Sequence, residues 1–167
     1  RDFHNPRIFP AHATKPADVI DGLSNTAMVS ELLRMNGDVD SVLRVTYQTP
    51  RQFAIGQGIL LAEMCDSIPM KPSQYGWRAS VSSGRGVPRY NGTFGIGHYN
   101  HMLPPNRPSC LNDTHIPTGV HTAASMHPSG VNVLHADGHV QFIAVQIDRE
   151  TWADLGSRTS GDLITAF

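Results

Sequence analysis

Hydrophobic and polar residues alternate most clearly near the end of the chain, in Val131 to Ala144 (VNVLHADGHVQFIA), where Asp137-Gly138 separates two runs of period two. Asp-Gly between alternating runs is the strongest short-range signal for a hairpin with a two-residue turn. A turn of that length pairs His135 with Val140 and Val133 with Phe142. It puts Val131, Val133, His135, Val140, Phe142 and Ala144 on one face, taken as the core face. Ser41 to Thr49 (SVLRVTYQT) alternates in the same way and predicts a half-buried strand. Ser24 to Arg34 (SNTAMVSELLR) fits a strand through Thr26, Met28 and Ser30, or a helix begun at Ser24 or Asn25. The alternation favours the strand, paired with 41–49 across Asn36-Gly37-Asp38.

Pro50 opens a candidate helix over Arg51 to Asp66, whose apolar face would be Phe53, Ile59, Leu60, Met64 and Cys65. Gly56 and Gly58 weaken it. Asp148 can cap a short helix through Trp152 and Leu155, stopped by Gly156. Residues 1–20, with Pro6, Pro10 and Pro16, have no period and read as an extended surface segment. Residues 67–117 are rich in Pro, Gly, Asn and Ser but carry Tyr75, Trp77, Tyr90, Phe94 and Tyr99, and read as one long ordered loop region.

Composition narrows the class. A length of 167 residues fits a single globular domain. Only 16% of residues are charged, while 15 Gly and 12 Pro favour a loop-rich α+β chain with an antiparallel sheet over a helical bundle. A net charge of -1 supplies no basic field, so nucleic acid is not an expected partner. No run of about 18 apolar residues occurs, so these residues are expected to make no membrane contact. The sequence begins at Arg1 and reads as a processed or trimmed product. Cys65 and Cys110 permit one intramolecular bridge or remain two buried thiols.

Seven of nine His (98, 101, 115, 121, 127, 135 and 139) fall within the loop and hairpin. His98, His101 and His127 are the candidate ligands for a divalent metal, although His98 and His101 form only an HxxH pair on a loop. His135 is expected as a hydrogen-bonded core residue and His139 as exposed. Glu31 and Asp137 could act as paired carboxylates on a glycosidic bond, with His101 and His127 completing a catalytic set. Asp-Gly turn chemistry accounts equally for Asp137, and His127 could instead anchor the hairpin through Asp137 or a loop carbonyl. Asn106 and Asn132 could hold sugar hydroxyls or satisfy loop backbone, and Trp77, Tyr75, Tyr90 and Tyr99 could stack on sugar rings or pin the loop. No GxSxG elbow or phosphate-binding loop occurs, since Gly84-Arg85-Gly86 lacks the Lys-Ser/Thr ending.

Four ordered motifs carry a resemblance. They are Asp21-Gly22-Leu23-Ser24-Asn25-Thr26 with Glu31; Tyr99-Asn100-His101 with Pro104-Pro105-Asn106, Ser109 and Cys110; His127-Pro128-Ser129-Gly130-Val131-Asn132 with Ala136-Asp137-Gly138-His139-Val140-Gln141-Phe142; and Ile147-Asp148 with Thr151-Trp152 and Leu155-Gly156-Ser157-Arg158. From about residue 20 onward the chain resembles the prepilin-like exported proteins of planctomycete-type bacteria, marked by an H-x9-DG signature. His135 and His139 stand where Phe and Ser are common in that family, and Ser129 replaces a usual Gly. The resemblance implies an exported, cell-surface or periplasmic α+β domain with a pilin-like antiparallel sheet, here without the N-terminal pilin helix. In an exported chain Cys65 and Cys110 are expected to be bridged. Two functions follow: a structural or ligand-binding module that meets carbohydrate, another surface polymer or copies of itself, or a small extracellular glycoside hydrolase, metal-dependent or not, on the same scaffold.

Overall fold

The 67–117 segment, expected as one long loop, contributes strands to the fold. The computed structural model describes residues 14–80, 85–86, 96–113 and 115–159, and within these the chain is α+β. The strands are β1 (Ala27–Ser30), β2 (Thr46–Gln48), β3 (Arg78–Ala79), β4 (Ser109–Asn112), β5 (His115–Val120), β6 (Gly130–His135) and β7 (Val140–Ala144). The helices are α1 (Gly58–Asp66) and α2 (Arg149–Leu155). They form a three-stranded antiparallel sheet, β1-β6-β7, and a four-stranded sheet, β3-β2-β4-β5, in which β2 and β4 run parallel.

Parallel neighbours need a long crossover, usually helical, and α1 lies in the stretch between β2 and β4. Cys65 at the end of α1 is disulfide-bonded to Cys110 in the middle of β4, with Cα atoms 5.7 Å apart. The bridge therefore ties the crossover helix to the strand it leads to. Around it, Val45, Tyr47, Leu61, Leu103 and Val120 are buried in one cluster. A second cluster, Ala123, Val131, Val133, Ile143, Trp152 and Leu155, lies between the three-stranded sheet and α2. Closing a 45-residue loop with a bridge stabilises by roughly 2–4 kcal/mol, mainly by restricting the unfolded chain.

Helix α1 starts seven residues later than the sequence predicts. Gly56 takes φ +86, a left-handed conformation that breaks the backbone, and the helix begins only after Gln57. Its buried face is Leu61, Ala62 and Cys65, at i, i+1 and i+4. Ile59 and Leu60, predicted as inward, are 66% and 45% exposed. Helix α2 follows expectation: the Asp148 carboxylate accepts from the backbone N–H groups of Glu150 and Thr151 at 2.9 and 3.1 Å, and Trp152 and Leu155 are buried.

The expected hairpin between 24–34 and 41–49 does not form. β1 pairs with β6 and β2 with β3 and β4, so the two segments belong to different sheets. The long-loop reading of 67–117 gives way as well, to β3, β4, the start of β5 and a 3-10 turn at Pro72–Tyr75. β4 is buried at all four positions, so it has no alternation for a sequence pattern to reveal. Of the surface segment 1–20, residues 14–18 are exposed and residues 1–13 lie outside the described residues, as does the tail from 160.

The hairpin at Asp137-Gly138 exists, with a register one residue away from the prediction. Gly138 N–H donates to the His135 carbonyl at 3.0 Å, Gly138 takes φ +95, and His135 N–H donates to the His139 carbonyl at 2.9 Å. The connection is thus the three-residue loop Ala136-Asp137-Gly138, a tight turn closed by a left-handed glycine. Val133 pairs with Gln141 and Asn132 with Phe142. One residue of slip reverses every side chain on β7: Ile143 is fully buried, while Val140 and Phe142 are 62% and 46% exposed. Ile143→Ala should therefore cost about 2–5 kcal/mol in chemical denaturation, and Phe142→Ala less than about 1 kcal/mol. The reverse order of costs would show this register to be wrong. Thiol titration of the unfolded, unreduced protein should find no free thiol.

Candidate functional site

Between β5 in one sheet and β6 in the other the chain passes through 121–125, and all five residues are buried. Buried backbone outside a ladder must find other hydrogen-bond partners. Side chains supply most of them. Asn100 receives the His121 N–H on its side-chain oxygen at 3.3 Å, and its own N–H donates to the His121 carbonyl at 2.7 Å. Ser109 Oγ accepts from Thr122 N–H at 3.1 Å, and the Arg85 guanidinium donates to the Thr122 carbonyl. Asn106 N–H donates to the Ala123 carbonyl at 2.9 Å, and its side-chain oxygen accepts from Ser125 N–H at 2.8 Å. Ala124 N–H donates to the Glu31 carbonyl at 3.0 Å.

Arg85 is the charged centre of this arrangement. It is 1% exposed, and besides Thr122 it donates to Ser109 Oγ at 2.6 Å and to the Leu43 carbonyl at 3.4 Å. Burial lowers its pKa to about 10, which leaves it a cation at neutral pH. Sequence reading treated Gly84-Arg85-Gly86 only as a failed phosphate loop. An arginine in a stretch poor in charge was the available signal. Asn100 and Ser109 enter the sequence reading only as motif residues, without a role, and Thr122 does not enter it.

The residues proposed from sequence as catalytic each hold a different part of the fold. Glu31 Oε2 accepts from the Asn132 backbone N–H at 2.7 Å and from its Nδ2 at 3.3 Å, bracing the end of β1 against β6. His101 Nδ1 donates to the Trp152 carbonyl at 2.7 Å, with the two rings 4.0 Å apart. Burial keeps that imidazole neutral, lowering its pKa to about 4 against the opposing effect of the Trp152 carbonyl. His127 is exposed. Its ring meets Phe142 edge-on at 6.2 Å, and its carbonyl, rather than its ring, is bonded, accepting from Asn106 Nδ2 at 2.9 Å. Asp137 is exposed at the hairpin tip, where Oδ1 accepts from the His139 N–H and lies 2.6 Å from His139 Nδ1. The hydrogen bonds from His139, the backbone one foremost, hold the Asp137 carboxyl below its usual range.

The remaining candidates are distributed in the same way. His98 is exposed, and among the described residues no group of three or more His, Cys, Asp or Glu is placed to hold a metal. Tyr99 stacks on Trp152 at 6.3 Å, and burial pushes its hydroxyl up to about 12. Trp77 packs half-buried against the α1 cluster. Tyr75 is 70% exposed, and Tyr90 lies outside the described residues. His135 is fully buried and stacks on the exposed His139 at 4.2 Å.

An open cleft of about 380 Å³ lies between the two helices. Glu63 and Asp66 of α1, Leu103, Pro104 and Arg107 of the preceding-β4 loop, and Gln146 to Arg149 leading into α2 line it. Arg107 is 3.5 Å from Asp66, and Arg149 Nε donates to the Met102 carbonyl at 2.9 Å. None of Glu31, His101, His127 or Asp137 lines this cleft.

Fold and network together define a disulfide-tied α+β protein whose motif side chains act chiefly on its own backbone. The chain belongs to the DUF1559 family, described as proteins of unknown function, which matches it over residues 3–150. No curated protein and no solved structure matches it. The disulfide is compatible with an exported protein, because such bridges persist in oxidising compartments. Among the described residues no helix is long and apolar enough to cross a membrane.

The buried imidazoles make the fold acid-sensitive. His121, like His101, is lowered, to about 3, by burial and by Arg85. A base with a depressed folded pKa binds protons more readily when unfolded, so its stabilisation is complete above about pH 6.5 and declines as pH falls toward the folded value. Thermal melts should therefore lose stability between pH 6.5 and 4, above the range of the carboxylates, by on the order of 3 kcal/mol for His101 alone. His101→Phe should make that slope shallower. An unchanged slope in the variant would remove His101 from the account.

Proposed function

We propose that this chain is the globular domain of an exported, surface-located pilin-like protein with a structural or ligand-binding role. The observation that carries the reading is the use of the motif residues. Asn100, Asn106, Ser109 and Glu31, drawn from two separate motifs, converge on the buried 121–125 passage and on Asn132 of β6, and satisfy their backbone. Their recurrence as motifs then needs no reaction to explain it. Glu31 and Asp137, the pair a glycosidase would require, are engaged by Asn132 and by His139 respectively.

The ligand class this reading favours is carbohydrate or a similar polar surface polymer, taken up by the cleft between the helices. Its wall mixes the guanidinium groups of Arg107 and Arg149 with the carboxylates of Glu63, Asp66 and Asp148. Mixed charge of this kind offers donors and acceptors to hydroxyls without selecting a strongly charged ligand.

A panel of chromogenic glycosides, with and without chelator, should give no turnover above the blank. Glu31→Gln should lower stability by about 1–3 kcal/mol through the weakened bond to the Asn132 N–H. Turnover by the native chain that disappears in Glu31→Gln while the melting midpoint stays constant would replace this reading with the hydrolase.

A further inference from the structure

Among the described residues the two sheets end in four edge strands: β1 and β7 in one, β3 and β5 in the other. Free edges template pairing with another chain, and proteins blunt them with charge, proline, bulges or short length. Three of the four carry such a device. β1 has a register shift between Ala27 and Val29, β3 is two residues long and starts with Arg78, and β5 contains Pro117 and Gly119. β7 carries none: it is Val-Gln-Phe-Ile-Ala in an unbroken register with β6. No Asp, Glu, Lys or Arg occurs between Gly138 and Ile147.

The register identifies what this edge offers. His135 N–H donates to the His139 carbonyl and Val145 N–H to the Ser129 carbonyl, both at 2.9 Å. Hydrogen-bonded positions alternate in an antiparallel ladder. Residues 139, 141, 143 and 145 therefore face β6, and the N–H and C=O groups of Val140, Phe142 and Ala144 point outward. The Ala144 carbonyl also accepts from Ile147 N–H at 3.1 Å, so at that end a second strand would share it, while the groups of Val140 and Phe142 carry no such bond within the described residues. The side chains of Val140, Phe142 and Ala144 lie on the sheet face opposite Ile143, where Val29 and Leu134 continue the apolar surface by pairing in register.

We propose that β7 pairs antiparallel with β7 of a second copy of this chain, about a two-fold axis at Phe142. The two three-stranded sheets then become one sheet of six strands. Phe142 meets its own copy, and each Val140 meets Ala144, a large residue against a small one. In such an isologous contact any charge near the axis would face its like. The uncharged run meets that condition, which a contact with an unrelated strand would not impose.

Sedimentation velocity of the full chain from micromolar to millimolar concentration should show a reversible monomer–dimer equilibrium. Phe142→Lys should be monomeric throughout, with unchanged circular dichroism and, at concentrations where the native chain is monomeric, a melting midpoint close to the native one, since this side chain lies outside the core. Under mild oxidation Phe142→Cys should give a covalent dimer, because a hydrogen-bonded pair sets Cα atoms about 5.5 Å apart, within disulfide range. Val140→Cys alone should not cross-link, whereas Val140→Cys combined with Ala144→Cys should. A native chain that stays monomeric at every concentration overturns the proposal. So does dimerisation unaffected by Phe142→Lys, or cross-linking of Val140→Cys as efficient as that of Phe142→Cys.

Discussion

The passage of the chain from one sheet to the other through 121–125 is the constraint that organises the rest. Five successive buried residues bring about ten backbone polar groups out of water, and each one left unpaired would cost on the order of 1–3 kcal/mol. Among the described residues no neighbouring strand runs alongside to accept them as a ladder. Partners must instead be delivered one at a time, by Asn100 and Asn106 from the stretch leading into β4, by Ser109 at its start, by Arg85, and by the Glu31 backbone. The stretch before β4 is therefore fixed in place by the segment it serves. The Cys65–Cys110 bridge holds its far end.

This arrangement explains why a chain with little charge keeps an arginine inside. A guanidinium can donate to several acceptors in one plane, and here Arg85 reaches Ser109 Oγ, the Leu43 carbonyl and the Thr122 carbonyl together. It spans β4, the approach to β2 and the 121–125 passage between the sheets. A lysine in its place would offer one point charge and lose that reach. The same logic applies to Asn106, which takes a left-handed φ of +58 while donating to and accepting from the 123–130 stretch through backbone and side chain alike.

What could be read from the sequence divides along the same physical line. Asp148 capping α2 and the Asp-Gly turn are local chemistry, and both stand where they were expected. The hairpin register depended on whether the turn held two residues or three, a choice that left-handed Gly138 and the Asp137 carboxylate settle together, and the slip exchanged Phe142 for Ile143 in the core. The alternation over 41–49 marked the strand that stands as β2, whereas β4 was beyond pattern reading, because burial at all four positions removes alternation. The candidate site failed to assemble for a related reason. His, Glu and Asn in motifs signal that a polar side chain has a fixed task, and spacing along the chain does not say whether the partner is a ligand or the protein's own backbone.

Distinguishing those two cases comes down to counting the acceptor and donor capacity left over after the fold has used its share. Asn106 commits both its oxygen and its amide nitrogen, and Asn132 places its amide and N–H on Glu31, which leaves little with which to grip a substrate. His101 donates through Nδ1 and is held neutral by burial, so it is a poor general acid at neutral pH. The cleft between α1 and α2 presents the opposite balance. There Glu63 and Gln146 line an open wall, and Arg107 is held only by a long 3.5 Å contact to a half-exposed Asp66. Exposed pairs of that kind contribute little to stability, so the residues are free to exchange one another for an incoming polar group. Recognition is more readily built there than on the motifs, whose hydrogen bonds the fold cannot release.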